Sequence, residues 1–374
     1  VCPGLVDMHV HLREPGFEHK ETIATGSEAA VCGGFTAVCC MANTNPVNDS
    51  RPITELILDK ARTAGLARVY PVAAVSKELA GRELVDFEDL KAAGAVAFSD
   101  DGNPVADADT MREAMARSSA LGVPIISHCE ELQLVGSGAM NAGPTADALG
   151  YEGIPNASES VMVARDIALS QQTRAPVHIA HVSTRESVDA IRAAKDKGIP
   201  VTAETAPHYF CLTDETVKRC GANAKMNPPL RSIADQQAIR QALADDTIDA
   251  IATDHAPHSP DEKALPFDQA PNGIIGLETA LGLSLQLVED GILTLDRLIA
   301  KLTQVPSQIL GLPCGLKAGL PADLLIFDPD CRYQVDVAQF RSKSRNSPFD
   351  GWMLTGKALL TMVAGRIVFE SKDN

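Results

Sequence analysis

His9 and His11 stand two residues apart in Val6-Asp7-Met8-His9-Val10-His11-Leu12-Arg13. Apolar and polar residues alternate there as in a strand, which puts both imidazoles on one face. Two neutral imidazole nitrogens converging at a strand's end suit a divalent transition metal, zinc above all. A bare His-x-His is also a common accident, so the weight rests on where other ligand-type residues fall. Asn43, Asp100, Asp101, His128, His181 and Asp254 each follow an apolar run. Four histidines and two aspartates exceed what one tetrahedral ion needs and suit two metals that share a carboxylate. Asp100 and Asp101 compete for the shared position, because adjacent residues of a regular strand face opposite ways. The same parity turns His178 away from His181 toward the helices, and His255 away from Asp254. His19, after a Gly-Phe turn, falls outside the ligand set. His208 reads as a group behind the ligands, and His258, in a Pro-bounded loop, is placed to reach a substrate.

The elements that must position these residues are strands alternating with helices. Strands are expected at 36–41, 68–74, 95–98, 123–127, 177–180, 200–203 and 249–252, which with the opening strand makes eight. Helices are expected between them at 20–31, 52–64, 108–121, 157–172, 185–197 and 233–244, two of them led by the capping residues Asp107 and Ser183-Thr184. This is the pattern of an α/β (β/α)8 TIM barrel, in which residues at strand carboxyl ends meet on one face. The barrel is expected to span 1–312. From 313 to 374 the pattern changes to short strands with a tight Ala364-Gly365 turn, the mark of a C-terminal β module. The Gly-rich stretch 136–143 does not join a strand to a helix as a nucleotide loop must, and reads as a connection. Residues 257–266 have the composition of a lid.

Composition narrows the partners. A formal net charge of −16 argues against nucleic acid and anionic membranes. No apolar run reaches the roughly 18 residues of a membrane span, and no leader is legible, so a cytoplasmic protein is expected. Nine cysteines without a Cys-x-x-Cys pair indicate reduced thiols, not a disulfide framework or a zinc ribbon. An anionic small substrate would need a local positive site, which a metal centre and an arginine can supply.

Seven segments carry a family resemblance: His-Val-His-Leu-Arg-Glu-Pro-Gly at 9–16, Ala-Asn-Thr-Asn-Pro at 42–46, Phe-Ser-Asp-Asp-Gly at 98–102, His-Cys-Glu at 128–130, His-Val-Ser-Thr at 181–184, Asn-Pro-Pro-Leu-Arg at 227–231 and Thr-Asp-His-Ala-Pro-His at 253–258. Together they resemble the dihydroorotases of the amidohydrolase superfamily. They are most similar to the bacterial type that uses an aspartate where many relatives use a carboxylated lysine. The resemblance implies two zinc ions, one on His9 and His11, the other on His128 and His181, bridged by Asp101. It implies that Asp254 binds a metal and serves as catalytic acid and base. Arg13 and Asn43 would hold a substrate carboxylate, with Asn227, His258, Asn272 and Gly273 as further substrate contacts. The implied reaction interconverts L-dihydroorotate and N-carbamoyl-L-aspartate in de novo pyrimidine biosynthesis. A homodimer is implied, and aspartate carbamoyltransferase is a possible partner. The nearest rival is a hydantoinase, dihydropyrimidinase or allantoinase, but Phe98-Ser99-Asp100-Asp101 has no lysine. An inactive scaffold for aspartate carbamoyltransferase would be expected to have lost ligands, and all six are present. Members of this family carry several tens of residues ahead of the His-x-His strand, as part of the β module. Here Val1-Cys2-Pro3-Gly4 opens almost at the barrel, so the C-terminal strands are expected to expose edges.

Overall fold

The computed structural model describes residues 1–372. Eight short strands run parallel: β1 Leu5–Val10, β2 Phe35–Cys40, β3 Arg68–Ala73, β4 Ala97–Phe98, β5 Ile125–Ser127, β6 Val177–Ile179, β7 Val201–Thr205 and β8 Ala250–Ile251. They are bonded in the order β8-β7-β6-β5-β4-β3-β2-β1. The two end strands meet just past β8. Val10 bridges His255 in parallel, and the His11 amide donates to the His255 carbonyl at 2.8 Å. The buried Asp7 carboxylate also accepts from the Thr253 amide at 3.1 Å and from its hydroxyl at 2.5 Å. The sheet is therefore a closed TIM barrel.

Packing follows two shells. Met8, Cys39, Met41, Val72, Ala97, Ile126, Ala180 and Ala250 fill the barrel interior. Leu5, Val10, Phe35, Val38, Val69 and Phe98 pack outward against helices such as Ile23–Cys32, Arg51–Ala64 and Phe87–Ala93. β1 does not keep the strict alternation expected of it: its register with β2 shifts between Asp7 and Val10. Met8 thus faces inward while Val10 and Leu12 join the outer shell. Helix starts are specified locally. Thr22 caps the first helix through a reciprocal box with Thr25, which begins that helix at Ile23 instead of at residue 20. Asp107 and Thr184 cap theirs as expected, accepting from Thr110 and Ser187 amides.

A four-stranded antiparallel sheet stands beside the barrel. It contains Cys2–Pro3, Leu324–Gln334, Met353–Val363 and Arg366–Glu370 in that order. The opening residues therefore belong with the C-terminal strands. Cys2–Pro3 cover only the Leu324–Leu325 end of the long strand's outer edge. Ala364 and Gly365 turn the last hairpin with φ of 50° and 77°, the left-handed pair its twist requires. Within the stretch expected to be a plain connection, Met140–Asn141 pairs in parallel with Gly153–Ile154. No helix among the described residues is long and apolar enough to cross a membrane, and none of the nine cysteines is paired.

Candidate active site

The carboxyl ends of β1, β4, β5, β6 and β8 bring His9, His11, Asp101, His128, His181 and Asp254 into one buried cluster. Asp101 lies at its centre. Its carboxylate oxygens stand 3.3 Å from His9 Nε2, 3.4 Å from His11 Nε2, 3.4 Å from His181 Nε2 and 3.6 Å from His128 Nδ1. Asp254 Oδ1 lies 3.1 Å from His11 Nε2 and 3.6 Å from His9 Nε2. Asp100 faces elsewhere, accepting from the Val75 and Ser76 amides at 2.7 and 3.0 Å and from the Ser76 hydroxyl.

The arrangement fits a pair of cations. His9, His11 and Asp101 form one group whose ligand atoms lie within 4.8 Å of one another, and Asp101, His128 and His181 form a second. His9 Nε2 and Asp101 Oδ1 are buried without a hydrogen-bond partner, although they face each other. Their lone pairs converge on a common space instead of completing a bond. Electrostatics agree. Burial alone would raise the Asp101 carboxyl, yet the surrounding histidines hold it well below the usual range. Against the same burial, Asp101 and Glu130 push His128 up to about 10. The cluster demands positive charge, and metal ions and protons compete to supply it.

Backbone strain marks three of the positions. His181 and Asp254 adopt φ of 34° and 47°, and Arg13 adopts 61°. Side chains with a Cβ rarely hold such angles unless the surroundings enforce them. The break at His181 explains why parity misplaces His178. β6 ends at Ile179, and the chain then swings His181 into the cluster. His178 also points inward, not toward the helices, and bonds Thr202 Oγ1 at 2.8 Å. Beneath the cluster, Glu204 on β7 joins the two, with Oε1 2.7 Å from His9 Nδ1 and Oε2 3.4 Å from His178 Nε2. Despite full burial, these histidines hold its carboxyl down to about 2. Sequence reasoning missed Glu204; a lone carboxylate inside the otherwise apolar and hydroxyl-bearing β7 was the available signal. His255 turns away as expected, with Nδ1 accepting from the Gly276 amide at 3.2 Å. His208 is buried near the cluster but outside both ligand groups, and burial lowers it to about 4. His19 is exposed and meets Glu262 at 3.7 Å.

Above the cluster opens a cavity of about 250 Å³ lined by His11, Arg13, Asn43, Asn227, His258 and Asn272 among others. Asn43 Oδ1 accepts from His11 Nδ1 at 2.9 Å, and its Nδ2 reaches the Asp101 carbonyl at 3.3 Å, leaving one amide hydrogen for a ligand. Asn227 donates to Glu130 Oε2 at 3.2 Å, and the same oxygen takes His128 Nε2 at 3.2 Å. The Gly273 amide donates to the Lys225 carbonyl, and its carbonyl accepts from Lys263 and Asn346. The segment 257–266 is pinned: helix Pro260–Lys263 is capped by Ser259, and Lys263 Nζ donates to the Pro271 carbonyl at 2.9 Å.

A family model described as dihydro-orotase-like matches residues 1–187. The chain is 56% identical over 370 residues to a dihydroorotase of Desulforapulum autotrophicum, covering 99% of this chain and 87% of that one. It is 54% identical over 374 residues to a dihydroorotase of Syntrophotalea carbinolica, covering 100% and 88%. Among solved structures, an L-hydantoinase (dihydropyrimidinase) from Arthrobacter aurescens superposes with a TM-score of 0.88 at 28% identity, covering 98% of this chain and 85% of that one. A D-hydantoinase from a Thermus species gives 0.81 at 27%, covering 98% and 84%. The hydantoinases share the fold at about half the sequence identity that the curated relatives reach. Identity of more than one half along nearly the whole length decides between the two, and the chain belongs to the dihydroorotase family.

Proposed function

We propose that this chain opens and closes the dihydroorotate ring, interconverting it with N-carbamoyl-aspartate in pyrimidine biosynthesis, with two zinc ions held by His9 and His11, by His128 and His181, and by Asp101 between them. The observation that carries the reading is the meeting of that cluster with Arg13 in one cavity. When bound, the ions would supply Lewis acidity toward a ring carbonyl and lower the pKa of a water. The residues do the rest. Asp254 stands over the cluster with its carboxyl held low against burial by His9 and His11. It is a base ready to take a proton from the attacking water and return it to the departing ring nitrogen. Arg13, partly buried and still charged with its pKa lowered to about 10, can grip a carboxylate through two parallel hydrogen bonds. A neutral ring would leave that guanidinium unpaired. Ring closure uses the same groups in reverse.

The test is an assay of the purified protein with dihydroorotate, dihydrouracil, hydantoin and allantoin, before and after chelation and zinc return. Dihydroorotate is expected to be strongly preferred, activity to vanish on chelation, and zinc to restore it. Preference for an uncharged ring, or full activity after demonstrated loss of metal, would overturn the reading.

A further inference from the structure

Lys20 belongs to none of the seven motifs and was expected to begin a helix. It lies instead before the Thr22 cap, in the loop after β1, with a side chain only 13% exposed. Its Nζ makes an ion pair with Glu262 Oε1 at 2.9 Å and lies 3.3 Å from His258 Nδ1. Glu262 sits on helix Pro260–Lys263 after β8 and accepts from the Ser259 amide at 3.0 Å. Lys20 therefore joins the loops that follow the first and last strands of the barrel, behind His258 of the cavity wall.

Partner chemistry sets the state of His258. An ammonium can only donate, so Nδ1 must accept and carries no proton. The Asn272 carbonyl, 2.8 Å from Nε2, can only accept, so Nε2 carries the hydrogen. The ring is neutral and in one tautomer. Arg13 Nη2 stands 3.3 Å from that same Nε2 while Arg13 Nε donates to the Pro257 carbonyl at 3.1 Å. Nη2 and Nε2–H are both donors, and neither satisfies the other. The Nε2 hydrogen is taken by Asn272, so an acceptor entering from the cavity would satisfy Nη2.

We propose that Lys20 is a positioning residue for anion recognition: clamped by Glu262, it fixes His258 as the neutral Nε2–H tautomer bonded to Asn272, so that Arg13 Nη2 finds no acceptor on the ring and is left to a substrate carboxylate. The proposal rests on the reading of this cavity as the site of an anionic ring. The charged groups around His258 are Arg13 and Lys20 from the β1 loop, Glu262 and Lys263 from the β8 loop, and Arg345 along the neighbouring wall. Burial first, then the three nearby cations Arg13, Lys20 and Lys263, hold His258 down to about 2. Removing Lys20 takes away the donor at Nδ1, and the ring can then take the other tautomer, whose Nε2 accepts from Arg13 Nη2 and competes with the substrate.

The experiment compares wild type, Lys20→Met and Lys20→Arg as metal-loaded full chains, with orotate as a non-reacting anionic probe. Lys20→Met is expected to raise KM for dihydroorotate roughly tenfold, the scale of one charge-assisted hydrogen bond, with kcat within about threefold and metal content unchanged. Its Ki for orotate is expected to weaken by a similar factor from pH 8 to 6, relative to the wild-type profile over the same range. Lys20→Arg, which keeps a donor and a charge, is expected to recover most of the KM. A folded, metal-replete Lys20→Met with unchanged KM and the wild-type orotate profile would overturn the proposal, as would loss confined to kcat or to metal content. If wild type itself fails to prefer dihydroorotate to dihydrouracil, the underlying reading of the cavity fails. If that preference holds and only the Lys20 variants are silent, this proposal alone fails.

Discussion

Arg13 holds a left-handed backbone angle and a partly buried charge in one residue. Both cost stability, so the surroundings must enforce them. The Pro257 carbonyl anchors Nε, and the remaining donors face the cavity. Arg13→Ala is expected to raise KM for dihydroorotate on the order of a hundredfold while bound metal, measured by atomic absorption, stays at the wild-type ratio. Parallel loss of metal would mean that Arg13 supports the cluster instead of the substrate. Glu204 plays the complementary part below. It holds His9 at Nδ1, which orients Nε2 toward Asp101. Glu204→Ala is expected to weaken metal binding about 10- to 100-fold in a chelator competition, with activity restored by excess metal. Unchanged chelator competition would reduce Glu204 to a filler of the barrel interior.

At the scale of elements, the site depends on how strands end more than on how they run. The strands are short, and except for His9, inside β1, the ligands lie just beyond them, on turns that break the alternation of side chains. The corner after β8 is built the same way. Gly273 has φ of 153°, and a Cβ there would lie 2.5 Å from the Ala256 carbonyl and 2.7 Å from His258 Cδ2. Gly273→Ala therefore pushes His258 off its Asn272 bond. The expected result is a KM rise of roughly tenfold, the scale of one hydrogen bond lost from the wall that orients His258 beside Arg13, with the metal complement intact. Wild-type KM in that variant would show that the corner yields without cost. The lysines Lys225 and Lys263 tie the same stretch down, donating to the carbonyls of Asp268, Ala270, Pro271 and Gly273.

Across the whole molecule, the barrel meets the small sheet at Glu278, whose oxygens accept from the Arg341 and Ser342 amides at 2.9 and 3.1 Å. Burial first, against those amide bonds, raises its carboxyl from 4.5 to about 7. The folded state thus keeps a proton between about pH 4.5 and 7 that the unfolded chain has released. Stability from this group is full below the unfolded value and falls as pH rises toward 7. Glu278→Gln removes the titration. Its advantage over wild type in urea denaturation is expected to grow from pH 5 to pH 8, by on the order of 1–2 kcal/mol after allowance for solvent screening. A pH-independent difference would place the effect of Glu278 in packing alone.

The sequence by itself determined the barrel and the set of ligand-type residues. Barrel strands and their helices are written in local apolar periodicity, and ligand chemistry is carried by residue type at strand ends. Six side chains from 9 to 254 could be named because the fold class puts strand ends on one face. Three things were decided only in three dimensions. The inward turn of His178 depends on where regular backbone stops, which left-handed angles and register shifts set. Glu204 and Lys20 act through partners 195 and 242 positions away, and no local pattern encodes such a pairing. Cys2–Pro3 joined the C-terminal sheet because an edge strand takes the nearest chain able to pair with it. Periodicity reports which face a residue prefers; contact between distant faces is a property of the closed barrel.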